Sequence, residues 1–545
     1  MFEALPDKGV PGDQILDELR ELRRADLPTH GGRLFAYVYD PALDGLDDLA
    51  RAAHAISAHV NGLDPTAFPS LLAMENALVG AAVKLLRGGP EAVGSVTSGG
   101  TESLILAVKA ARDSRPDLAT PRLVIPSTGH AAFAKAAHYL RVALDVVPVG
   151  DDLRADPAAM AAAITPDTVL VAASAPSYAH GVVDPIPEIA AAAAERGVRF
   201  HVDACFGGWV LPYLKRLGAD LPEFDLAVPG VTSISADLHK YAYAPKGVSL
   251  LLHRDETLRL PQYFAYADWP GYTMINPVIS STRSGGPIAA AVATLRTIGD
   301  AGYLELAERT REAVAVLADA VTATAGVRLF APPETTVVCL TADSAAAGSA
   351  VPGSAEPGNA ATTGDGPGGA APESPAPGDA ALGSVALGNP ASGKAATTSG
   401  GPGADDVAPV DLFVLADELA ARGWHTQPQM AFGALPATIH LTVTAAVRAT
   451  AADFAADLAD AVGAARARGP VQLPEPLVQA AGALTPQMVT PELVAGLAEG
   501  LGLGGGDFTQ MAAVNSLLNV TPPALREALL TGFLSLLQRP AAATE

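Results

Sequence analysis

The sequence GVTSISADLHKYAYAPKGVSLL, residues 230–251, predicts two apolar strands joined by a short polar turn. Lys240 lies in that turn, directly after His239. An ammonium group between two apolar strands would be partly desolvated. Desolvation lowers the pKa of a lysine and makes its amine a nucleophile for carbonyl groups. A surface lysine at a strand turn is the plainer interpretation, and this stretch alone does not separate the two.

The composition excludes several classes of protein. The chain has 545 residues, enough for more than one domain, and its formal net charge of −23 argues against nucleic acid or an anionic membrane surface as a general partner. No apolar run reaches the roughly eighteen residues of a membrane span, and we expect no secretory signal at residues 1–14. The two cysteines, Cys205 and Cys339, form no disulfide framework, so we expect a reducing, cytoplasmic setting.

The order of apolar patterns predicts an α/β fold with a large parallel sheet covered by helices on both faces. Residues 69–86 predict a long amphipathic helix before that sheet. The predicted parts are an N-terminal helical segment (1–70), a large domain (71–289), a smaller C-terminal α/β domain (290–343 and 409–469), an insertion (344–408) and a helical C-terminal appendage (470–545). The insertion is rich in Ala, Gly and Pro and has no aromatic residue, so we expect it to be disordered.

The stretch VTSGGTESLILAVKAAR, residues 96–112, predicts a strand end, two glycines and a helix. Gly100 and Thr101 lie where free backbone amides at a helix N-terminus form a cradle for an anion such as phosphate. The spacing fits neither a Walker loop nor a dinucleotide-binding fingerprint. A Gly-Gly-Thr turn is also an ordinary helix cap, so the motif is weak on its own.

Two further strand ends carry polar residues. HVDACFGG, residues 201–208, places His201, Asp203 and Cys205 on one face of a strand. Zinc binding is conceivable there, although no second cluster has metal-ligand spacing. A buried aspartate needs a cationic partner, and a protonated pyridine nitrogen would serve. His130, in STGHAAFAKAAHYL, could stack on such a ring, while a solvated loop histidine is the plainer interpretation.

A phosphate cradle, a ring-stacking histidine, an aspartate for a pyridinium and a desolvated lysine are together the parts of a pyridoxal phosphate site. The motifs SGGTES, HAAFAKAAHY, SAPSYAHGVVDP, HVDACFGG, GVTSISADLHKYAYAPKG and STRSGG, in this order, closely resemble those of the sphingosine-1-phosphate lyases. These belong to the group II pyridoxal-phosphate-dependent decarboxylase family. The resemblance covers roughly residues 35–343 and 409–465 and implies the fold type I, aspartate-aminotransferase-like architecture.

The resemblance implies roles for the matching positions. Lys240 would carry pyridoxal 5'-phosphate covalently, Asp203 would bind the pyridine nitrogen and His130 would stack on the ring. The positions implied at the cofactor phosphate are Gly100, Thr101 and His239. The positions implied at the substrate are Tyr39, Asn61, Asp64, Tyr178 and Lys246, of which Tyr178 and Lys246 are also implied in catalysis. Arg283, in STRSGG, is implied to reach the cofactor site of a partner subunit, since these enzymes are homodimers with shared active sites.

One departure from the family pattern concerns the substrate. Lyases of this type carry Asn-Pro-Leu-His before Pro-x-x-Phe-Pro, whereas residues 61–64 read Asn-Gly-Leu-Asp. Asp64 thus replaces a histidine that helps to bind phosphate. A carboxylate near a phosphate is repulsive in a low-dielectric pocket, which weakens the expectation of a phosphorylated substrate.

Three functions are compatible with these residues. The first is a lyase that cleaves the Cα–Cβ bond of an amino alcohol, phosphorylated or not. The second is an amino-acid decarboxylase, and the third is a non-catalytic protein that binds pyridoxal phosphate. The third is disfavoured because Lys240, Asp203 and His130 are all present.

Overall fold

A computed structural model describes residues 5–343, 409–473, 483–501 and 510–539. Its N-terminal part contains the helices α1 (Gly12–Leu22), α2 (Leu46–Ser57) and α3 (Pro69–Leu85). The helix predicted for residues 69–86 is confirmed in α3. It begins with a proline, which has no amide hydrogen to leave unpaired, and carries Lys84 near the negative end of the helix dipole. Residues 26–45 are not helical, so the predicted N-terminal segment is helical only in part.

Seven strands form the large sheet: β1 (Val93–Thr97), β2 (Arg122–Pro126), β3 (Ala143–Val147), β4 (Thr168–Ser174), β5 (Arg199–Asp203), β6 (Ser233–Asp237) and β7 (Ser249–His253). Their order is β1-β7-β6-β5-β4-β2-β3. Neighbours from β6 to β3 are parallel, whereas β7 is antiparallel to both β6 and β1. The turn after β6 is too short for a crossover helix and reverses the chain direction. The predicted α/β sheet is therefore confirmed, and it is mostly rather than wholly parallel.

Helices cover both faces of this sheet, because alternate residues of a strand pack into apolar clusters on opposite faces. Leu123 and Ile125 of β2 pack in one apolar cluster, while Val124 packs in another. The covering helices are α4 (Gly100–Asp113), α5 (Ala132–Leu140), α6 (Pro157–Ala163), α7 (Ile186–Glu195), α8 (Leu211–Arg216) and α9 (Glu256–Arg259). The carboxyl ends of β5 and β6 therefore open between helical layers, where ligands bind in such sheets.

A short hairpin and a long helix lead out of the large sheet. The hairpin consists of β8 (Phe264–Tyr266) and β9 (Met274–Asn276), and the helix is α10 (Gly286–Ala323), which bends at Gly299 (φ 63°). The predicted domain boundary after residue 289 falls inside α10. Its buried side chains belong to the large-domain core up to Ala307 and to a second core from Ala313 onward.

The second core lies under a four-stranded antiparallel sheet in the order β10-β11-β13-β12. Its elements are β10 (Val327–Leu329), β11 (Val337–Ala342), α11 (Leu412–Ala421), β12 (Gln427–Gln429), β13 (Thr438–Thr442) and α12 (Ala451–Arg468). Phe35 from the N-terminal segment packs on Trp424 and Phe454 within this core. The N-terminal segment is thus anchored in the small domain.

The C-terminal appendage contains α13 (Pro491–Gly500), α14 (Ala512–Val520) and α15 (Pro523–Leu537), which agrees with its predicted helical pattern. The insertion predicted at residues 344–408 lies outside the described residues. Within the described ranges, no helix has both the length and the apolar character needed to cross a membrane.

Candidate active site

Lys240 lies in the turn between β6 and β7, as predicted. Its ammonium nitrogen is 3.0 Å from Oδ2 of Asp237, the last residue of β6. Asp237 is only 2% exposed, and its carboxylate also accepts a hydrogen bond from the Ser249 hydroxyl. The Nε2 atom of His239 lies 3.7 Å from the same carboxylate. A buried carboxylate needs such partners, because an unpaired one is strongly destabilising.

The pKa shift predicted for Lys240 is wrong in direction. Burial alone lowers the pKa of an amine, but attraction to Asp237, with smaller contributions from Cys205 and Asp203, outweighs burial and raises the pKa of Lys240 above its usual range. The same pairing holds the pKa of Asp237 below its ordinary value, although burial opposes this. Lys240 is therefore an ammonium ion here, and it must release a proton before it can attack a carbonyl group.

The predicted phosphate cradle lies beside this ion pair. Helix α4 begins at Gly100, and Gly99 before it offers no side chain to cap the first amides. A Cβ atom added at Gly100 would lie 2.8 Å from both Asp237 Oδ2 and Cys205 Sγ, whereas one at Gly99 would lie 3.8 Å from the His239 ring. The backbone of Gly100 thus approaches Asp237 as only a glycine allows. An uncapped helix N-terminus remains next to His239, and this suits a phosphate.

His239, in the β6–β7 turn, lies near the N-terminal end of α4, where Thr101 occupies the first helical turn. Nδ1 of His239 is 2.8 Å from the carbonyl oxygen of Val248, so Nδ1 carries a proton and donates it. Burial lowers the pKa of His239, which favours the neutral ring near pH 7. Thr101 is exposed in the first turn of α4, so its hydroxyl and amide are open to a ligand.

Asp203 ends β5 and pairs in register with Ser235 of β6. It is 7% exposed, and Oδ1 accepts hydrogen bonds from the Cys205 amide at 3.1 Å and the Ser235 hydroxyl at 3.5 Å. In the part of the chain that the structure describes, no Lys, Arg or His nitrogen lies within 4.0 Å of its carboxylate. A buried carboxylate without a paired cation fits the protonated nitrogen of a pyridine ring.

The zinc alternative finds no support at the same strand. His201 is fully buried, and its two ring nitrogens are 2.9 Å from Ser233 Oγ and 3.3 Å from Ser235 Oγ. Burial lowers the pKa of His201 to about 3, so the ring is neutral. Over the described ranges, no three His, Cys, Asp or Glu residues are grouped so that they could hold a metal ion.

Tyr178 follows β4 and lies among aromatic rings. Its ring meets those of His130 and Phe206 edge-on, at 6.4 and 6.0 Å, and stacks on His440 at 4.6 Å. His130 is exposed, and its Nδ1 accepts a hydrogen bond from the Ala132 amide, which orients the ring at the start of α5. Burial raises the pKa of Tyr178, so its hydroxyl stays protonated near neutral pH and can donate a hydrogen bond.

Tyr39 and Lys246 line a cavity of about 470 Å³ that is also lined by His239. The Lys246 nitrogen is 5.1 Å from the centre of the Tyr39 ring and donates to the His239 carbonyl oxygen at 3.3 Å. Desolvation by the cavity walls, together with the like charge of Lys240, lowers the pKa of Lys246 to about 8. Lys246 is therefore mostly charged at pH 7 and close to its titration point.

Asn61 and Asp64 have local partners in the chain. The Asn61 side-chain oxygen accepts a hydrogen bond from the Leu63 amide at 3.0 Å. Asp64 is exposed, and its Oδ1 accepts from the hydroxyl and amide of Thr66 and from the Ala67 amide. These bonds hold the pKa of Asp64 below its ordinary value. Their turn lines a different cavity from that of Lys246, so their predicted substrate role stays a prediction.

Arg283 is also held within its own chain. Its Nη1 atom is 2.5 Å from Oε1 of Glu75 and 3.4 Å from the Val96 carbonyl oxygen. Burial raises the pKa of Glu75 even though the Arg283 charge opposes this. Ser284 forms an isolated β-bridge with Asn61, so the STRSGG loop and the Asn61 turn are one structural unit.

Asp237 and His440 belong to the site and were not predicted from the sequence. Each lies in a strand whose alternate residues are polar, and this pattern marks a polar strand face. The alternating polar residues are Ser233, Ser235 and Asp237 in β6 and Thr438, His440 and Thr442 in β13. A polar face on an otherwise apolar strand is the sequence pattern from which Asp237 and His440 could have been predicted.

The site fits pyridoxal phosphate, with a helix N-terminus for the phosphate, Asp203 for the ring nitrogen and Lys240 as the amine. The pyridoxal-dependent decarboxylase conserved domain matches residues 3–343, more than half of the chain. The chain belongs to the pyridoxal-dependent decarboxylase family. Membership in this family confirms pyridoxal phosphate as the predicted cofactor. A second family model matches residues 474–536. It is described as a C-terminal helix-turn-helix (HTH) domain of pyridoxal-dependent enzymes.

Two individual relatives in this family are named for different reactions. The chain is 38% identical over 347 residues to sphingosine-1-phosphate lyase of Dictyostelium discoideum, covering 63% of this chain and 65% of that protein. It is 34% identical over 317 residues to the "Probable L-tyrosine/L-aspartate decarboxylase" of Methanocella arvoryzae, covering 57% of this chain and 80% of that protein. The alignment thus spans less than two thirds of the Dictyostelium protein's length.

A solved structure extends the similarity to most of the chain. The sphingosine-1-phosphate lyase of Burkholderia pseudomallei K96243 is 30% identical, with a TM-score of 0.70, covering 86% of this chain and 94% of that one. The predicted fold class and the predicted resemblance to this group of lyases are therefore confirmed.

We predict that Gly100→Ala weakens pyridoxal phosphate binding about tenfold or more, because the new methyl group forces buried Asp237 or Cys205 to move. The dissociation constant can be measured by titrating the apoprotein with cofactor and following the visible absorbance. Gly80→Ala is the matched control, since a methyl group there meets no heavy atom within 4 Å. Equal affinities of the two variants for pyridoxal phosphate would contradict a phosphate cradle at Gly100.

Proposed function

We propose that this chain is a pyridoxal-phosphate-dependent lyase that cleaves the Cα–Cβ bond of a phosphorylated amino alcohol. The observation that carries the proposal is the position of Lys246. Its titratable ammonium lies beside Tyr39 and His239, only six residues beyond Lys240. A cation held there attracts an anionic group on a substrate whose amine reaches Lys240. The relatives named sphingosine-1-phosphate lyases support the same reaction type.

The described side chains have distinct tasks in such a reaction. When bound, pyridoxal phosphate accepts the electron pair of a bond broken at Cα of the substrate amine. Asp203 holds a proton on the ring nitrogen and so keeps the ring electron-poor. Asp237 stabilises the protonated form of Lys240. Tyr178, which stays protonated, donates a hydrogen bond to a substrate oxygen.

The cavity at Lys246 suits an anion attached to an apolar chain. Its lining includes the apolar side chains of Val38, Leu46 and Ala50 as well as the charged residues Asp47 and Arg51. A phosphate near the ammonium would leave the rest of the substrate against these apolar side chains. A substrate with both features is favoured over a short, fully polar amino acid.

An amino-acid decarboxylase is the second candidate, in which the bond from Cα to the carboxylate breaks. Asp64 favours it, because this residue stands where the lyases carry a phosphate-binding histidine. The hydrogen bonds from Thr66 and Ala67 keep Asp64 ionised near neutral pH, so it would repel a phosphate that came close. The match to the Methanocella protein, which covers most of that protein, supports the same alternative.

We also propose a homodimer with shared active sites, supported by the exposed β8–β9 hairpin. Its five large apolar residues are 43–59% exposed, and such aromatic patches are typical of protein interfaces. These residues are Phe264, Tyr266, Trp269, Tyr272 and Ile275. A second subunit would bring the turn of Asn61 and Asp64 to a neighbouring Lys246. The two cysteines are free and buried, in keeping with the cytoplasmic setting that we propose.

Product analysis tests the proposed function directly. Wild-type protein and Lys240→Ala are incubated with pyridoxal phosphate and a mixed pool of amino acids and phosphorylated amino alcohols, and the products are identified by mass spectrometry. We expect an aldehyde and ethanolamine phosphate from the wild type only. Carbon dioxide and an amine would support the decarboxylase instead. Wild-type products no greater than those of Lys240→Ala would contradict both.

We predict that the KM for a phosphorylated amino alcohol rises as the pH passes above about 8. Lys246 has a pKa of about 8, so its charge is present below that pH and lost above it. In Lys246→Arg the charge persists, because the pKa of a guanidinium is about 12 or higher and the group stays protonated over this pH range. The rise in KM should therefore be absent from that variant. Identical pH profiles of KM would show that Lys246 does not contact the anionic group.

We predict that Asp64→Asn lowers the KM for a phosphorylated amino alcohol about threefold or more, since it removes a like charge from a partly solvated site. Asparagine keeps the side-chain oxygen that caps the turn at Thr66 and Ala67. Steady-state kinetics measure the effect, with exposed Asp167→Asn as the control for the same change in net charge. An unchanged or higher KM would show that Asp64 does not face the phosphate.

A further inference from the structure

A cavity of about 780 Å³ lies away from the proposed active site, between the C-terminal end of α3, helix α8 and the bend of α10. None of the residues predicted for the cofactor or the substrate lines it. Its volume is within the range of small-molecule sites. The cavity therefore has the size to hold a ligand other than the substrate.

The floor of the cavity is aromatic. Trp209 and Tyr213 both contact Tyr303, with ring centres 5.9 and 5.7 Å apart, and Phe224 adds a fourth ring to the lining. The Trp209 indole nitrogen is buried beside the Tyr303 side chain. Aromatic faces of this kind pack well against planar or apolar ligand groups.

The rim of the cavity is basic, in a chain whose formal charge is −23. Its cationic residues are Lys84, Arg87, Lys215 and Arg216. Carboxylates pair with three of these four. Arg87 contacts Asp225 and Glu223, Lys215 shares Glu223, and Arg216 binds Asp300 through both nitrogens at 2.6 and 2.9 Å.

Lys84 is the exception on this rim. Among the described residues, no carboxylate oxygen lies within 4.0 Å of its nitrogen, and it acts on Asp300 only from a longer distance. Four cations thus face three carboxylates, and one positive charge is left over beside an aromatic floor. Charge complementarity therefore favours an anion at Lys84, with its apolar part over the rings.

We propose that this cavity is a binding site for a small organic anion, a carboxylate or phosphate that carries an aromatic or branched apolar body. Its floor is connected to the catalytic turn. The Tyr303 hydroxyl donates a hydrogen bond to the Ala242 carbonyl oxygen at 2.8 Å, and Ala242 is two residues beyond Lys240. A ligand that moves Tyr303 therefore acts on the backbone that holds Lys240, so the site is regulatory.

Binding is tested by calorimetry on the holoprotein with phenyl phosphate, inorganic phosphate and benzyl alcohol. We expect phenyl phosphate to bind at least about tenfold more tightly than the other two, because each lacks one of the two recognised features. Lys84→Glu should abolish this preference, whereas Lys8→Glu, the same change at another exposed lysine without an ion pair, should keep it. Equal binding to both variants, or none up to about 10 mM, would overturn the proposed site.

The connection to Lys240 is tested separately, by the visible spectrum of the bound cofactor. Saturating phenyl phosphate should shift this spectrum in the wild type but not in Lys84→Glu. Tyr303→Phe keeps the ring and loses the bond to Ala242, so it should bind the probe without the shift. An unshifted wild-type spectrum would overturn the regulatory role. Neither readout requires turnover, so both stand apart from the proposed lyase activity.

Discussion

The buried carboxylate of Asp237 is the constraint around which the site is built. It pairs with Lys240, accepts a hydrogen bond from Ser249 and lies 3.7 Å from His239. Leaving a buried charge unpaired costs about 3–5 kcal/mol, so these partners are not interchangeable with solvent. When Lys240 gives up its proton, Asp237 retains the Ser249 hydroxyl, and Nε2 of His239 becomes a partner only if it takes up a proton, since the neutral ring carries its proton on Nδ1. The protonation of Lys240 is thereby coupled to His239, which lies beside the helix end that suits a phosphate.

The sheet topology follows from the same constraint. Asp203 and Asp237 end neighbouring parallel strands, so their carboxylates meet at one edge of the sheet. The reversed strand β7 returns at once from β6 and places Ser249 opposite Asp237 in register. Gly100 must then approach Asp237 closely enough for the first amides of α4 to point at this edge of the sheet. The α/β arrangement thus converts two strand ends and one helix end into a site with fixed charges.

The sequence was most informative where polar residues or glycines end or follow apolar strands. Lys240, Asp203 and His130 stand out for that reason, and so does the cradle at Gly100. The direction of the Lys240 pKa shift could not be predicted from the sequence. It depends on the Asp237 carboxylate, which faces the lysine only after β6 and its turn have formed. β12 is three residues long and contains Pro428, so its pattern was too short to recognise. Asn61, Asp64 and Arg283 are bonded to neighbours within their own chain, and these loop contacts form only in the folded chain, so the sequence pattern did not specify them.

The C-terminal domain shows why a matched fold does not settle a function. Proteins that bind nucleic acid gain much of their affinity from Lys and Arg contacts to phosphates. Residues 474–536 contain one basic residue, Arg526, against the acidic residues Glu475, Glu492, Glu499, Asp507 and Glu527. In its described part, α15 instead exposes Leu530, Leu534 and Leu537, whose spacing puts them on one helix face. A sequence with this excess of acidic residues does not favour binding to a duplex, so the match to the HTH model does not by itself indicate nucleic acid binding.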